Sequence, residues 1–280
     1  MRTLFLAAFL SSTVALPAVA AEPVALVICA PGYPGSTAEA QPTIDSLAQT
    51  MAKAAKWAPA ELTGVYYEKQ EAGVTRLSQP DVGLALLPLA LFLEQQEALK
   101  LKARLSAAMK GRAEATERWT LIAKKGSLPD ASALEGWEVH SLVGFSPRFI
   151  RSVVLSGWGK VPENVKFVQT GRILSAMKKA SAGAKVAVLL DSEQAEALAK
   201  SPDPELVVVH QSAFLPAAIL ATVGSKVSDT RWKTMGEALP KLGETPEGAK
   251  VLESVQKLKF MPLDEKVLVA AQKAFQEPRQ

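Results

Sequence analysis

The sequence predicts an α/β protein built as two lobes joined by two chain crossings, and three observations carry that expectation. Short β-rich runs alternate with helical stretches, the order that layers helices on a mixed, mainly parallel sheet. Of the 280 residues, 48% are hydrophobic and 21% charged, which supplies a core and excludes a disordered or collagen-like chain. Gly126-Ser127-Leu128-Pro129-Asp130 and Gln211-Ser212 punctuate the pattern, and the segment between them holds strands and helices of its own at the size of a small domain. The expected organisation is a leader at 1–20, a first lobe from 21–122 and 212–280, and a second lobe from 123–211.

The leader is read from Met1 and Arg2, the apolar run Leu4 to Leu10 and the small residues Ala18-Val19-Ala20, the three parts of an export signal cut after Ala20 or Ala21. Its apolar run is shorter than the roughly 20 residues a membrane helix needs, and the later run Val82 to Leu93 is broken by Pro88. No cysteine near the cut offers a lipid anchor, so a periplasmic address is expected. Removing Arg2 leaves 31 basic against 28 acidic residues, a net charge of +3, too small to argue for nucleic acid.

Val24-Ala25-Leu26-Val27-Ile28-Cys29 then reads as a strand buried on both faces. The turn-rich Pro31-Gly32-Tyr33-Pro34-Gly35 follows, and Ser36 with Glu39 forms a capping box. From there Ala40, Ile44, Leu47, Ala48, Met51 and Ala55 recur on one helical face. Further strands are expected at Leu62 to Tyr66, Val82 to Leu87, Trp119 to Ala123, Trp137 to His140, Val165 to Val168, Lys185 to Leu190 and Leu206 to His210. Thr170 is placed to cap a helix carrying Ile173, Leu174 and Met177 that ends at Gly183, and Asp191 or Ser192 to cap the next. Thr245-Pro246-Glu247 opens a helix with Val251, Leu252, Val255 and Leu258 on its apolar face, and Asp264 opens the last.

Signatures of chemistry are missing. A Gly-x-Ser-x-Gly elbow, a phosphate-cradling Gly-x-x-x-x-Gly-Lys-Ser/Thr loop and a Gly-x-Gly-x-x-Gly fingerprint do not occur. One cysteine and two histidines leave little for a metal centre. Cys29 lies inside the first strand, where burial makes a thiol inert. His140 and His210 each end a strand, so they face a cleft or serve as hydrogen-bonded interior side chains. No catalytic residue, cofactor or metal is expected, although a hydrolase or transferase using one of the histidines stays as a lesser alternative.

Residues in order now resemble a known family. The leader, strand, Pro-Gly loop and capped helix are followed by Gln79-Pro80-Asp81-Val82-Gly83-Leu84-Ala85-Leu86-Leu87-Pro88, then by Ser132-Ala133-Leu134-Glu135-Gly136-Trp137, Ser146-Pro147-Arg148, Ala187-Val188-Leu189-Leu190-Asp191, Val208-Val209-His210-Gln211-Ser212 and Thr245-Pro246-Glu247-Gly248. This series resembles the periplasmic solute-binding proteins of ABC transporters, in particular the phosphonate-binding-protein-like group. The resemblance implies a type 2 periplasmic-binding fold that closes on a small ligand between its lobes. It also implies delivery to an ABC permease or a sensory receptor, and a monomer without enzyme activity. Trp119 to Ala123 and Val207 to Ser212 would approach or form the hinges.

Ligands of open α/β sheets sit beyond the carboxyl ends of strands. The candidate ligand-binding residues are therefore Tyr33, Pro34, Gly35 and Ser36; Tyr66 and Tyr67; Leu87 and Pro88; Ser141, Gly144, Phe145, Ser146 and Arg148; and Asp191. Ser36 and Ser146 each open a helix whose amides and dipole suit an anion, and Arg148 offers a forked donor. Capping alone also accounts for both serines. The tyrosines and Phe145 suit a flat or apolar ligand instead, or simply core packing. Ser141-Leu142-Val143-Gly144-Phe145-Ser146-Pro147 departs from the family by its few hydroxyls and by a proline that removes an amide donor, which speaks against a tetrahedral oxyanion.

Overall fold

A computed structural model of the chain describes residues 22–33, 35–109, 114–255 and 257–277. The leader at 1–20 and Pro34 lie outside the described residues. The chain opens with β1 (Val24–Cys29), buried along its whole length, and α1 (Thr37–Ala54), held by the expected capping box. Then come β2 (Leu62–Tyr67), α2 (Gln70–Leu77), β3 (Val82–Pro88), α3 (Leu89–Gln95) and β4 (Leu101–Met109). The short β5 (Thr116–Glu117) leads into β6 (Thr120–Lys124) and β7 (Glu138–Ser141). After these α4 (Pro147–Phe149) runs on into a π-helical turn over Ile150–Val154. Next are β8 (Lys166–Gln169), α5 (Ile173–Ser181), β9 (Val186–Leu190), α6 (Ser192–Lys200) and β10 (Leu206–Gln211). The chain returns through β11 (Leu215–Pro216) to β12 (Ala218–Val223), α7 (Asp229–Ala238), α8 (Pro246–Ser254), β13 (Lys257–Pro262) and α9 (Glu265–Gln276).

Two sheets result, ordered β13-β4-β12-β3-β1-β2 and β10-β6-β9-β7-β8, with β5 and β11 paired between them. Both are mixed. Parallel pairing is confined to β1 with β2 and β3, and to β7 with β8 and β9. Antiparallel pairing takes the rest, and in the first sheet β12, returning from the second, inserts between β3 and β4. The sheets are therefore mixed without being mainly parallel. The strand β6 pairs with β9 and β10 over its length, so the position 122/123 expected to divide the lobes falls inside a strand of the second sheet.

One apolar core joins the halves: Val27, Leu87 and Phe92 of the first share it with Leu121, Phe149 and Leu189 of the second. A second core lies under α1, α7 and α8, with Leu26, Leu47, Met51, Met235 and Leu252, and a third packs α5 on Ile122 and Val188.

Several local expectations change. Thr170 does not cap α5; its Oγ1 accepts from the Arg172 amide at 3.0 Å, two residues ahead of the N-cap position, and Leu174 is 74% exposed. Only Ile173, Ala176 and Ala180 of that helix are buried, so its seam is rotated from the one read in sequence. The helix after Thr245 ends at Ser254, and Leu258 belongs to β13 because that stretch completes the sheet edge beside β4.

Candidate ligand-binding site

The strands β1, β2 and β3 end side by side, with Ile28 in register with Tyr66 on one flank and Leu86 on the other. Beyond β1 the chain turns tightly. The Tyr33 amide donates to the Ala30 carbonyl at 3.2 Å, and Gly32 takes a φ of 84°, a left-handed conformation that favours glycine. A cavity of about 240 Å³ opens at these strand ends. The strands and their following loops contribute Ile28, Cys29, Ala30, Tyr33, Tyr66, Leu86, Leu87 and Pro88; α1 contributes Ala40, Thr43 and Ile44. Glu117 of β5, Ala217, Ala218, Ser254 and Val255 complete it.

The lining comes from the first sheet's half and the crossing strand, and the second half reaches the site through Tyr33. Its hydroxyl donates to Asp191 Oδ2 at 3.5 Å. The same loop touches the second half again, since a Cβ at Gly32 would lie 3.3 Å from Leu142. Asp191 is buried and also caps α6, accepting from the Gln194 amide at 2.8 Å while Gln194 returns a bond to the Asp191 amide. Burial pushes the Asp191 carboxyl above its ordinary range. Burial likewise pushes the Tyr33 hydroxyl well up, helped by the carboxylates of Glu117, Asp191 and Glu193.

Of the candidate residues, Tyr33, Tyr66, Leu87 and Pro88 line the cavity, and Asp191 stands behind Tyr33. The others are turned to structural work. Gly35 is an exposed turn residue at φ 102°, and Tyr67 packs on the shared core. Ser36 caps α1 together with Glu39, whose Oε2 accepts from the Ser36 amide at 2.9 Å. A second carboxylate, Glu68 Oε2, accepts from Thr37 Oγ1 at 3.1 Å, so two of the chain's own acids occupy that helix start.

The anion expectation fails at the other helix start for the same reason. Ser146 is fully buried, accepts from the Phe149 amide at 3.4 Å and donates to the Glu94 carboxylate of α3 in a short hydrogen bond. Arg148 turns away to α9, stacking over Phe275 at 4.7 Å and donating to the Gln276 carbonyl at 3.0 Å. Ser141 donates to the Leu189 carbonyl at 2.9 Å. Phe145 packs on the core, and Gly144 lies so close to Val168 and Gln169 of β8 that a Cβ would collide with their backbone.

Both histidines are engaged in the fold. His140 Nε2 lies 2.9 Å from Glu138 Oε2, and that hydrogen bond lowers the Glu138 carboxyl. His210 stacks on Trp158 with ring centres 5.5 Å apart and reaches the Val154 carbonyl at 3.2 Å; burial lowers its pKa. Among the described residues no cluster of three or more His, Cys, Asp or Glu side chains is placed to hold a metal ion, and no helix is long and apolar enough to cross a membrane.

Sequence reasoning missed Thr43, Glu117, Ala217, Ala218, Ser254 and Val255. Glu117 and Ala217 flank the crossings, a position that punctuation at Gln211-Ser212 could have flagged. Ser254 and Val255 arrive from the far end of α8 and carry no local signal.

No family model matches the chain, and no curated relative matches it. Solved structures match over nearly its whole length at low identity. A protein of Xanthomonas citri bound to ATP aligns over 91% of this chain and 98% of its own, with 12% identity and a TM-score of 0.69. A binding protein component of an ABC phosphonate transporter from Pseudomonas aeruginosa aligns over 90% and 85%, at 14% and 0.62. A protein of Prochlorococcus marinus in complex with methylphosphonate aligns over 90% and 97%, at 13% and 0.58. With its two mixed sheets joined by paired crossings, this chain has the two-lobed, type 2 periplasmic-binding fold.

Proposed function

We propose that the protein is an exported solute-binding protein that captures a small ligand at the ends of β1, β2 and β3 and hands it to an ABC permease. The carrying observation is the Tyr33–Asp191 hydrogen bond, which lets the second half hold the side chain that walls the cavity in the first. A ligand that packs on Tyr33 thereby favours the arrangement in which Asp191 is engaged. Differential binding of this kind is what a closing clamp requires.

The lobes are assigned to 22–117 with 213–277 and to 118–212. The division rests on the paired crossings, where the Ser212 amide donates to the Trp119 carbonyl at 2.9 Å and the Trp119 amide to Ser212 Oγ at 3.0 Å. The leader composition supports a periplasmic address, and likeness to transport binding proteins supports a role without chemistry of its own.

A thermal-shift screen of the exported protein against small organic solutes, with small-angle scattering of each hit, tests the reading. A ligand that binds only the folded state raises the melting temperature by mass action, and closure lowers the radius of gyration. A screen without hits and a scattering profile that no solute alters would refute capture by closure.

A further inference from the structure

The two halves meet a second time at residues that do not line the cavity. This seam brings together α3 of the first half, α4 with its π-helical turn from the second, and α9. The helix α9 follows β13, the edge strand of the first sheet, yet its buried residues Leu268, Ala271 and Phe275 enter the core that both halves share, against the π-helical turn and β11. A helix tethered to one half and packed on the other resists their separation, because parting exposes its apolar face to water.

Polar contacts cross the same seam. Ser146 of the second half is fully buried and donates to the Glu94 carboxylate of α3. Arg148 stacks over Phe275 at 4.7 Å and donates to the Gln276 carbonyl at 3.0 Å. On its other side α9 is tied to α3, where Gln272 donates to Gln96 Oε1 at 2.8 Å and Gln276 to Glu97 Oε1 at 3.2 Å. The helices α3 and α9 thus present one joined surface to the second half.

The seam is also built to part. A cavity of about 390 Å³ lies among Glu94, Glu97, Arg148, Gln272 and Phe275, so water has room at these polar groups. Bonds whose partners rehydrate on separation contribute modestly, and one to a carboxylate shifts an equilibrium by about tenfold or more. Contacts of that size set a population and do not fuse the halves.

We infer that the Glu94–Ser146 bond and the contact of Arg148 with α9 form a latch that holds the halves together before any solute arrives, so that the free protein already samples the closed arrangement. The inference deepens the capture reading above and rests on it for the movement of the halves. A solute that packs at the cavity draws on a state the latch has populated, and its apparent affinity falls as that population falls.

Spin labels at Gln49→Cys on α1 and Leu174→Cys on α5, both exposed, read the separation of the halves in the exported protein without solute. These helices follow loops that touch, since a Cβ at Gly171 would lie 3.1 Å from the Gly32 carbonyl, and Cys29 is buried and stays unlabelled. Glu94→Ala should lower the ratio of short to long distances at least about tenfold. Arg148→Ala, at an exposed position, should lower it in the same sense. Glu94→Gln keeps an acceptor of the same reach and should stay nearer to the unmodified seam than Glu94→Ala. Gly73→Ala strains α2, away from the seam, and should leave the distances unchanged.

Circular dichroism reports which variants are folded, and Arg148→Ala decides alone should Glu94→Ala not fold. Distances unchanged in the folded seam variants, or a shift in Gly73→Ala as large as in Glu94→Ala, overturn the latch. Failure of the latch is separable from failure of capture, because the distances are read without a solute. A solute that compacts the protein while the seam variants keep its free distances leaves capture standing and removes the latch. Seam variants that open the free protein, in a chain that no solute of the screen binds, leave the latch standing and remove capture.

Discussion

Tyr33 and Asp191, 158 residues apart in sequence, meet through a hydrogen bond of 3.5 Å from the phenol to the carboxylate. The bond is at the long limit of the useful range, so its own contribution to stability is small. Its position matters more: Tyr33 walls the cavity, while Asp191 is fixed by the capping box of α6.

Tyr33→Phe removes the bond and keeps the ring. Unfolding in urea should change by less than about 1 kcal/mol, while ligand affinity falls and the free protein scatters as a less compact particle. Asp191→Ala also removes a helix cap and should cost about 1–2 kcal/mol. Equal stability losses in the two variants would contradict the division of labour between the bond and the cap.

Stability should depend on pH in opposite senses at two carboxyls. Burial raises Asp191 in the folded state above its unfolded value of 3.8, so ionisation destabilises the fold; the penalty appears as pH climbs from that value through the higher folded one, and is relieved on acidification. Asp81 is lowered by its hydrogen bonds to Arg76, at 2.8 and 2.6 Å. Its contribution is present above 3.8 and lost as pH falls through the lower folded value. Relative to wild type, Asp191→Asn should gain stability as pH rises from about 4, where the unfolded carboxyl titrates. Asp81→Asn should lose up to about 1 kcal/mol at neutral pH and nothing in strong acid, the modest size reflecting a half-exposed pair. Parallel pH profiles for both variants would be incompatible with these signs.

Cys29 has its thiol pushed up to about 12, chiefly by burial and secondly by the Glu68 charge. Iodoacetamide at pH 8 should leave it unmodified in the folded protein and alkylate it fully in guanidinium, as read by mass spectrometry. Gly73 of α2 packs directly on its sulfur, where a Cβ would overlap Sγ. Gly73→Ala should therefore cost about 1–3 kcal/mol, and adding Cys29→Ala should recover part of that loss.

Gly144 separates a structural role from a binding role. Its neighbours are backbone atoms of Val168 and Gln169, which cannot swing aside, so Gly144→Ala should destabilise the protein by about 1–3 kcal/mol. Ligand affinity per folded molecule should stay unchanged, measured by calorimetry at a temperature where the variant is native. A specific loss of affinity would return Gly144 to the binding surface.

Much of the fold is legible locally. The apolar run of β1, the Ser36–Glu39 box and the caps at Asp191, Thr245 and Asp264 are all formed as read, because each depends on residues within a few positions of one another. The strands β4 and β12 are not legible in this way. Lys102 and Arg104 interrupt the first with charge, and Ala218 to Val223 is a short apolar run that suits a buried helix as well as a strand. Their identity as strands comes from pairing with each other and with β3 and β13.

The candidate site divides along the same line. Sequence by itself determined which residues lie at or just beyond strand ends, among them Tyr33, Tyr66, Leu87, Pro88 and Asp191. Tertiary structure decided which of those ends face a cavity, brought Glu117, Ala217 and Ser254 to it, and placed Glu94 on Ser146 where an anion was expected. The reason is physical: helix caps and strongly apolar β-runs are fixed by groups close in sequence, whereas the charge and shape of a cavity are sums over groups that only folding brings within reach.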